Sequence, residues 1–397
     1  MNPILYIKSH GIKGTLDIIY RYKIDQGLRK FAILLTKNQQ LQNTIVIESH
    51  NDFDSNGGAF YDYLIKNHYN EKYKIVWLLK NKKPTDLPKN VTSFYLYKPS
   101  LRKQMIICRA KYILTCQDAI GSVRTGQTSI YLTHGTISIK KTGGTILLPA
   151  NVNYCLIPSP NMESYLRKGI TIEPNTRVVT LGYPEHDVLY SHDIGDLHKI
   201  TTQKYSKVIL WMPTLRNTSY GRKDFDKDEP LGLPLFSSKE EYEYLNKYLL
   251  KNNVLLVIKI HPMQDLTALK VRSLSNILIL SGKDVKRLKV DNYRLMKDTD
   301  AFISDYSSAG SDYLHCDKPI AYVLNDMNNF KLGFIVDDIH ELIAGSEIYN
   351  LNDLIKFIDI VSEGKDPYQR KRHALLDKVF LYHDGNSSKR LADFLNL

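Results

Sequence analysis

Short apolar runs alternate with longer segments of helical spacing along most of this chain, which is the pattern of parallel α/β units. The runs 45–48, 74–79, 92–97, 112–115, 130–133, 154–157 and 178–181 read as strands, and helices are predicted over 58–68 and 100–110. After a polar stretch at 187–206 the alternation resumes. Strands are predicted at 207–212, 254–260, 276–280, 301–304 and 319–323, with helices over 239–251 and 351–362 to cover them. Runs that stay apolar without alternation suit strands buried on both faces of a parallel sheet. The expectation is an α/β protein of two Rossmann-like domains, residues 45–195 and 196–397, facing a central cleft.

Residues 1–44 follow a different pattern. Ile12, Leu16, Ile19, Tyr20, Leu28, Phe31 and Leu35 fall broadly on one helical face, while Lys8, Lys13, Arg21, Lys23, Arg29, Lys30 and Lys37 outnumber Asp17 and Asp25. Such a basic amphipathic helix either lies on an anionic membrane surface or packs on the first domain, and the pattern fits both. No apolar run approaches the ~20 residues needed to cross a bilayer, and the N-terminus lacks the continuous apolar core of a signal peptide. The expected location is the cytoplasm, peripheral on the inner face of the cell membrane.

The richest chemical signal lies where the strand at 301–304 gives way to a helix predicted from Ser308 to about residue 315, through Asp305, Tyr306 and Ser307. Backbone N–H groups and the positive end of the dipole converge at a helix start, so Ser307 and Ser308 read either as a phosphate site or as an ordinary N-cap. Two histidines stand in comparable places. His134, with Gly135 and Thr136, follows the run 130–133, and His261, with Pro262, follows 254–260. Both sit just past the carboxyl end of a strand, where open α/β sheets bind ligands.

His134-Gly135-Thr136, Met212-Pro213-Thr214-Leu215-Arg216, His261-Pro262 and Ser304-Asp305-Tyr306-Ser307-Ser308 resemble, in order, the signatures of the CDP-glycerol glycerophosphotransferases, which build teichoic acids and related capsule polymers. The similarity extends to 73–77, to Gly182-Tyr183-Pro184 with Asp187, to Lys318-Pro319-Ile320 and to 383–390, and covers residues 45–395. The chain departs from the pattern at Ile137-Ser138-Ile139, where a proline usually follows His-Gly-Thr, and at Glu185, where an arginine often follows Gly-Tyr-Pro. Both departures lie near the acceptor side and leave acceptor identity open.

The resemblance implies a GT-B fold, with 45–195 as acceptor domain and 196–397 as CDP-donor domain. It also implies transfer of glycerol phosphate or ribitol phosphate from CDP-glycerol or CDP-ribitol to a hydroxyl of a lipid-linked saccharide or polyol-phosphate acceptor, with release of CMP. His134 is then the candidate general base, or instead a ligand of the donor phosphate. His261, Ser307 and Ser308 would hold the pyrophosphate and spread its developing charge. Arg216 would add a bidentate clamp, with Thr214 and Asp305 as further donor-side residues. Gly135, Thr136, Lys140 and Lys141 are expected on the acceptor side, and neither a metal nor a cofactor is expected. A GT-B glycosyltransferase using a nucleotide sugar is the alternative.

Composition narrows this picture. A chain of 397 residues, 43% hydrophobic and 24% charged, can bury two cores. Its net charge of +12 favours anionic partners, but the basic residues are scattered and no aromatic-basic reading motif appears, so nucleic acid is not an expected partner. Cys108, Cys116, Cys155 and Cys316 lack paired metal spacing and lie in or beside apolar stretches, as reduced buried thiols do. Asp224-Phe225-Asp226 has the Asp-x-Asp spacing of metal-dependent sugar transferases, yet Arg222, Lys223 and Lys227 are interleaved with the acids. A solvated loop, free to act as a lid, fits that composition better than a metal site.

Overall fold

The computed structural model describes residues 3–135, 138–141, 146–216, 218 and 223–397. The chain clusters into two compact units, Met1–Gly135 with Gly144–Asp187 and Phe380–Leu397, and Thr136–Gly143 with Val188–Val379.

In the first unit, α1 (Pro3–Thr36) leads to β1 (Gln42–Glu48), α2 (Ser55–Lys66), β2 (Lys74–Leu79), β3 (Val91–Tyr95), α3 (Leu101–Arg109), β4 (Ala110–Thr115) and β5 (Thr128–Tyr131). Then follow β6 (Ile146–Leu147), β7 (Tyr154–Leu156), α4 (Glu163–Leu166), β8 (Ile170–Thr171) and β9 (Arg177–Val179). Seven of the strands form an all-parallel sheet in the order β3-β2-β1-β4-β5-β7-β9, while β6 and β8 pair by themselves. Val46, Val76, Leu78 and Ile113 of the sheet pack on Ile106 and Ile107 of α3, whose first turn is capped by Ser100 accepting from Lys103 N at 3.3 Å.

The N-terminal helix meets this body through a face that its apolar pattern does not announce. Asp25, Arg29, Ala32 and Thr36 share one side at helical spacing. Asp25 lies 2.8 Å from Lys103 Nζ and accepts from Gln104 Nε2 at 2.7 Å, Arg29 Nε donates to Gln104 Oε1 at 2.9 Å, and Ala32 and Thr36 are buried. On the apolar face, which fits either a membrane surface or packing on the first domain, Ile12, Leu16, Ile19, Tyr20, Phe31 and Leu35 are exposed, Ile12 by 71%. Gly11, at φ 69°, breaks the helix near its start.

The second unit contains β10 (Lys207–Trp211), α5 (Lys239–Lys251), β11 (Val254–Lys259), β12 (Ile277–Leu280), α6 (Gly282–Leu288), α7 (Asn292–Lys297) and β13 (Ala301–Ser304). It continues through α8 (Ser308–Asp312), β14 (Ile320–Val323), β15 (Ser346–Ile348), α9 (Leu351–Ser362) and α10 (Gln369–Val379). Its parallel sheet runs β12-β11-β10-β13-β14-β15. Tyr242, Leu245 and Leu249 of α5 and Leu354, Phe357 and Ile358 of α9 cover one face, against Ile209, Trp211, Leu256, Ile258 and Ile303. Both sheets wind outward from their first strand in Rossmann order, so each has a topological switch point, between β1 and β4 in one and between β10 and β13 in the other.

The chain then returns to the first unit, so the expected C-terminal domain stops at Val379 rather than running to residue 397. The returning helix, α11 (Ser387–Phe394), starts on a carboxylate from elsewhere in the chain: Asp187 accepts from Ser387 N and Ser388 N, both at 2.8 Å. Arg390 closes the joint by gripping Asp384 with both terminal nitrogens, at 2.9 and 2.7 Å, and by donating to Leu181 O at 3.0 Å. Gly182 has φ 76°, and a Cβ there would lie 2.4 Å from Ser387 Oγ. The Gly182–Asp187 motif and the 383–390 motif are thus two halves of one docking joint. Replacing Asp187 by Ala leaves two buried N–H groups without their cap and is expected to cost about 1–2 kcal/mol, seen as a lower urea midpoint. Asp187→Asn, which keeps one acceptor oxygen, should lose less.

Candidate functional site

At the switch point of the first unit, β1 and β4 end side by side, Glu48 opposite Thr115. Glu48 is fully buried, and its Oε2 accepts from Cys116 N and Gln117 N, both at 3.0 Å. Lys80, at the end of β2, brings Nζ to 2.6 Å from Glu48 Oε1 and 2.9 Å from Asp118 Oδ2. Burial pushes the Glu48 carboxyl above its ordinary value, against the opposing pull of Lys80.

His134 follows β5 on a kinked backbone, with Thr133 at φ 61° and Gly135 at φ 73°. The left-handed region is costly for a residue with a Cβ, which is the reason for glycine at 135. Gly135 N donates to Glu185 Oε1 at 3.1 Å, and the buried Asn56 Nδ2 joins Leu132 O at 3.0 Å to Glu185 Oε1 at 3.2 Å. Glu185, which stands where the family pattern has arginine, is therefore buried and holds the His134 turn. Thr136 lies outside the described residues.

The half-buried His134 ring places Nδ1 3.1 Å from the carbonyl oxygen of Cys116. A carbonyl only accepts, so Nδ1 carries the proton and Nε2 keeps a basic lone pair. Burial, and after it the neighbouring His50, push the imidazole below its ordinary value. The two rings stack with centroids 4.9 Å apart and planes 9° from parallel, and His50 Nδ1 lies 3.1 Å from Gln117 Oε1. Sequence reading missed His50, Glu48 and Lys80. Their one signal was position, each at the carboxyl end of a predicted strand.

In the second unit the corresponding carboxylate is Asp305, just past β13. It reaches across the switch point to the segment after β10, accepting from Thr214 N at 2.6 Å and from the Thr214 hydroxyl. Arg216 NH1 donates to Asp305 Oδ2 at 2.9 Å and to Thr214 O at 2.6 Å, NH2 donates to Asp326 Oδ2 at 2.9 Å, and Phe225 lies under its guanidinium at 4.7 Å. Tyr306 OH completes the cluster by donating to Asp326 Oδ1 at 2.9 Å. Thr214, Arg216 and Asp305 are all buried, and these three residues, expected on the donor side, pair with one another. Their positions at the strand ends were legible; their mutual pairing was not.

Ser307 and Ser308 remain partly exposed. Ser307 is the N-cap of α8, its hydroxyl accepting from Ala309 N at 3.4 Å, and the helix expected to reach residue 315 ends at Asp312 and tightens into a 3-10 turn over Tyr313–Cys316. His261 follows β11, and its Nδ1 accepts from Met263 N at 3.2 Å, which leaves the proton of the neutral ring on Nε2. Two residues earlier, burial pulls Lys259 down to about 8, with Asp291 opposing. Lys140 and Lys141, expected on the acceptor side, cluster with the second unit: Lys141 N donates to Gly333 O at 2.9 Å and Lys140 bridges Phe334.

The acidic segment 224–229 is not a free lid. Phe225 is buried and bridges Phe330, Asp226 N donates to Asn329 O at 2.8 Å, and Lys331 N donates to Asp224 O at 3.0 Å. Glu229 is pushed up to about 7 by burial and by Asp326. Among the described residues, no group of three or more His, Cys, Asp or Glu is arranged to hold a metal ion.

Two parallel Rossmann-wound sheets, each with polar chemistry at its strand ends, make this an α/β protein of GT-B type. Residues 31–397 match the family model described as CDP-glycerol:poly(glycerophosphate) glycerophosphotransferase, and the chain belongs to that family. It is 28% identical over 229 residues to the teichoic acid ribitol-phosphate polymerase TarL of Staphylococcus aureus, a match covering 54% of this chain and 36% of that one. It is 25% identical over 256 residues to a teichoic acid glycerol-phosphate primase of Bacillus spizizenii, covering 62% and 59%. The chain thus spans less than two thirds of either curated relative. Against the solved structure of the wall teichoic acid polymerase TagF the TM-score is 0.70 at 19% identity, over 100% of this chain and 98% of that one, which is a likeness of fold.

The Arg216 cluster yields a stability test. Arg216→Met leaves Asp305 and Asp326 buried without their shared cation and is expected to cost about 3–5 kcal/mol, measured by urea unfolding. An arginine that served only to clamp a ligand would instead leave stability unchanged and weaken donor binding.

Proposed function

We propose that this chain transfers a polyol phosphate from a CDP-alcohol to the hydroxyl of an acceptor and releases CMP. The observation that carries the reading is the protonation of His134, whose Nδ1–H is held by the Cys116 carbonyl so that Nε2 is free to accept a proton, within a chain that matches the glycerophosphotransferase family from residue 31 to 397. Nε2 takes the proton of the acceptor hydroxyl as its oxygen attacks the phosphorus bearing the polyol. The new O–P bond forms as the P–O bond to CMP breaks, and CMP leaves with that electron pair. Its leaving charge needs donors rather than an acid, because a phosphate is already a stable anion. His261, with its proton on Nε2, and the partly exposed Ser307 and Ser308 supply such donors. Thr214, Asp305 and Arg216 hold the turn that presents the serines.

The acceptor in this reading is lipid-linked and the chain works at an anionic membrane surface, on the cytoplasmic side. The exposed apolar side chains of α1, which the packing on α3 leaves uncovered, support it, as does the net charge of +12. Among the described residues no helix is long and apolar enough to cross a membrane.

His134→Gln is expected to lower kcat by about 10²–10⁴-fold while leaving donor affinity by calorimetry unchanged; near-normal turnover would remove the general base from the scheme. The catalytic form of His134 is neutral, and its environment holds protonation below the ordinary imidazole value, so the acidic limb of kcat/KM should fall below about pH 6.5. His261→Ala should weaken donor binding by about tenfold or more through loss of a hydrogen bond to a charged group. Ile12→Glu, Leu16→Glu and Tyr20→Glu together should abolish flotation with phosphatidylglycerol vesicles without lowering the melting temperature, since all three side chains are exposed. Undiminished flotation would place the membrane contact elsewhere.

A further inference from the structure

We infer that His50 is a positioning residue for His134: its ring lies flat against the His134 imidazole, helps fix the direction in which Nε2 points, and sets a second imidazole against its face. The inference rests on the reading of His134 as the base and adds a residue that no sequence motif marks.

The two imidazoles hang from neighbouring residues of one turn. His134 Nδ1 is bonded to Cys116 O and His50 Nδ1 to Gln117 Oε1, each at 3.1 Å. The backbone N–H groups of those same two residues are bonded to Glu48 Oε2, each at 3.0 Å. Lys80 closes the frame, with Nζ 2.6 Å from Glu48 Oε1 and donating to Ser49 O at 2.9 Å and His50 O at 3.2 Å. One buried ion pair therefore fixes both the segment that carries His50 and the turn that anchors both rings. Within that frame the rings lie 4.9 Å apart at 9°. The stack opposes tilting of the His134 ring out of its plane, and the bond to Cys116 O opposes a half turn about Cβ–Cγ, so together they leave the second nitrogen one direction.

The stack also acts through charge. Burial, and after it the imidazole of His50 against its face, push His134 below its ordinary value. Other groups around His134 leave that effect in place. Lys80, from the end of β2, adds to it, and Asp54, at the start of α2, opposes it. The carboxylates of Glu48 and Asp118 are engaged with Lys80, and Glu185 is bonded to Gly135 N. His50 itself is exposed.

Two substitutions separate the geometric role from the electrostatic one. His50→Phe keeps a flat ring and removes the charge, while His50→Ala removes both. In the free protein, the 15N-detected titration of the His134 imidazole, assigned by its loss in His134→Gln, is expected to move up in His50→Phe. The acidic limb of kcat/KM should move with it, and kcat at pH 8 should stay within about twofold of wild type. His50→Ala should show the same upward shift and, in addition, a kcat at pH 8 lowered by about tenfold or more as the ring loses its support. Should His50→Ala unfold, the His50→Phe titration alone decides the electrostatic part. An unmoved His134 titration in His50→Phe, or wild-type kcat in a folded His50→Ala, overturns the inference. An inactive His134→Gln beside wild-type His50 variants would overturn this inference alone, whereas an active His134→Gln would remove the base on which it stands.

Discussion

A buried carboxylate ties the two central strands together at the switch point of each sheet, and the rest of the polar chemistry takes its position from those two ties. Where a parallel sheet changes winding direction, the segments leaving adjacent strands diverge, and their N–H groups lose ladder partners while still shielded from water. Each such group must find an acceptor. Glu48 meets that need between β1 and β4 by accepting from Cys116 and Gln117, and Asp305 meets it between β13 and β10 by accepting from Thr214. A carboxylate suits this place because its two oxygens accept several bonds at once. Its charge must then be balanced from within, by Lys80 in one unit and Arg216 in the other.

The backbone beside these ties assigns opposite tautomers to the two neutral histidines. His134 faces a carbonyl and is left with a basic nitrogen, whereas His261 receives an N–H from Met263 and is left with a donor. One neutral imidazole keeps its lone pair on Nε2 and the other its proton there, though the residue type is the same. The family motifs, often read as lists of contact residues, divide here into groups that face solvent and groups that hold them in place.

Much of the fold was legible in the chain. The helices predicted at 239–251 and 351–362 lie at those residues, because their apolar spacing is strong and Ser238 and Asn350 cap them. The strands at 74–79 and 301–304 were equally plain, being short, apolar and buried on both faces. Short elements such as β15, α6 and α7 carried too few apolar positions to stand out. The N-terminal helix was recognised as amphipathic, but the contact it makes with the first unit was not: α3 is met by Asp25 and Arg29 through ion pairing and hydrogen bonds, which leave no periodic hydrophobic trace.

The chain by itself determined the two parallel sheets, the family, and the placement of His134, His261 and Ser307 at strand ends, because hydrophobic period and local motifs are properties of neighbouring residues. Only the tertiary structure decided that Arg216, Asp305 and Thr214 pair with one another, that Glu185 supports Gly135, and that His50 lies on His134, 84 positions away in number yet 4.9 Å between ring centroids. Those outcomes depend on which buried polar groups meet across the sheet, and a buried charge takes the partner that folding brings to it, wherever that partner stands in the sequence.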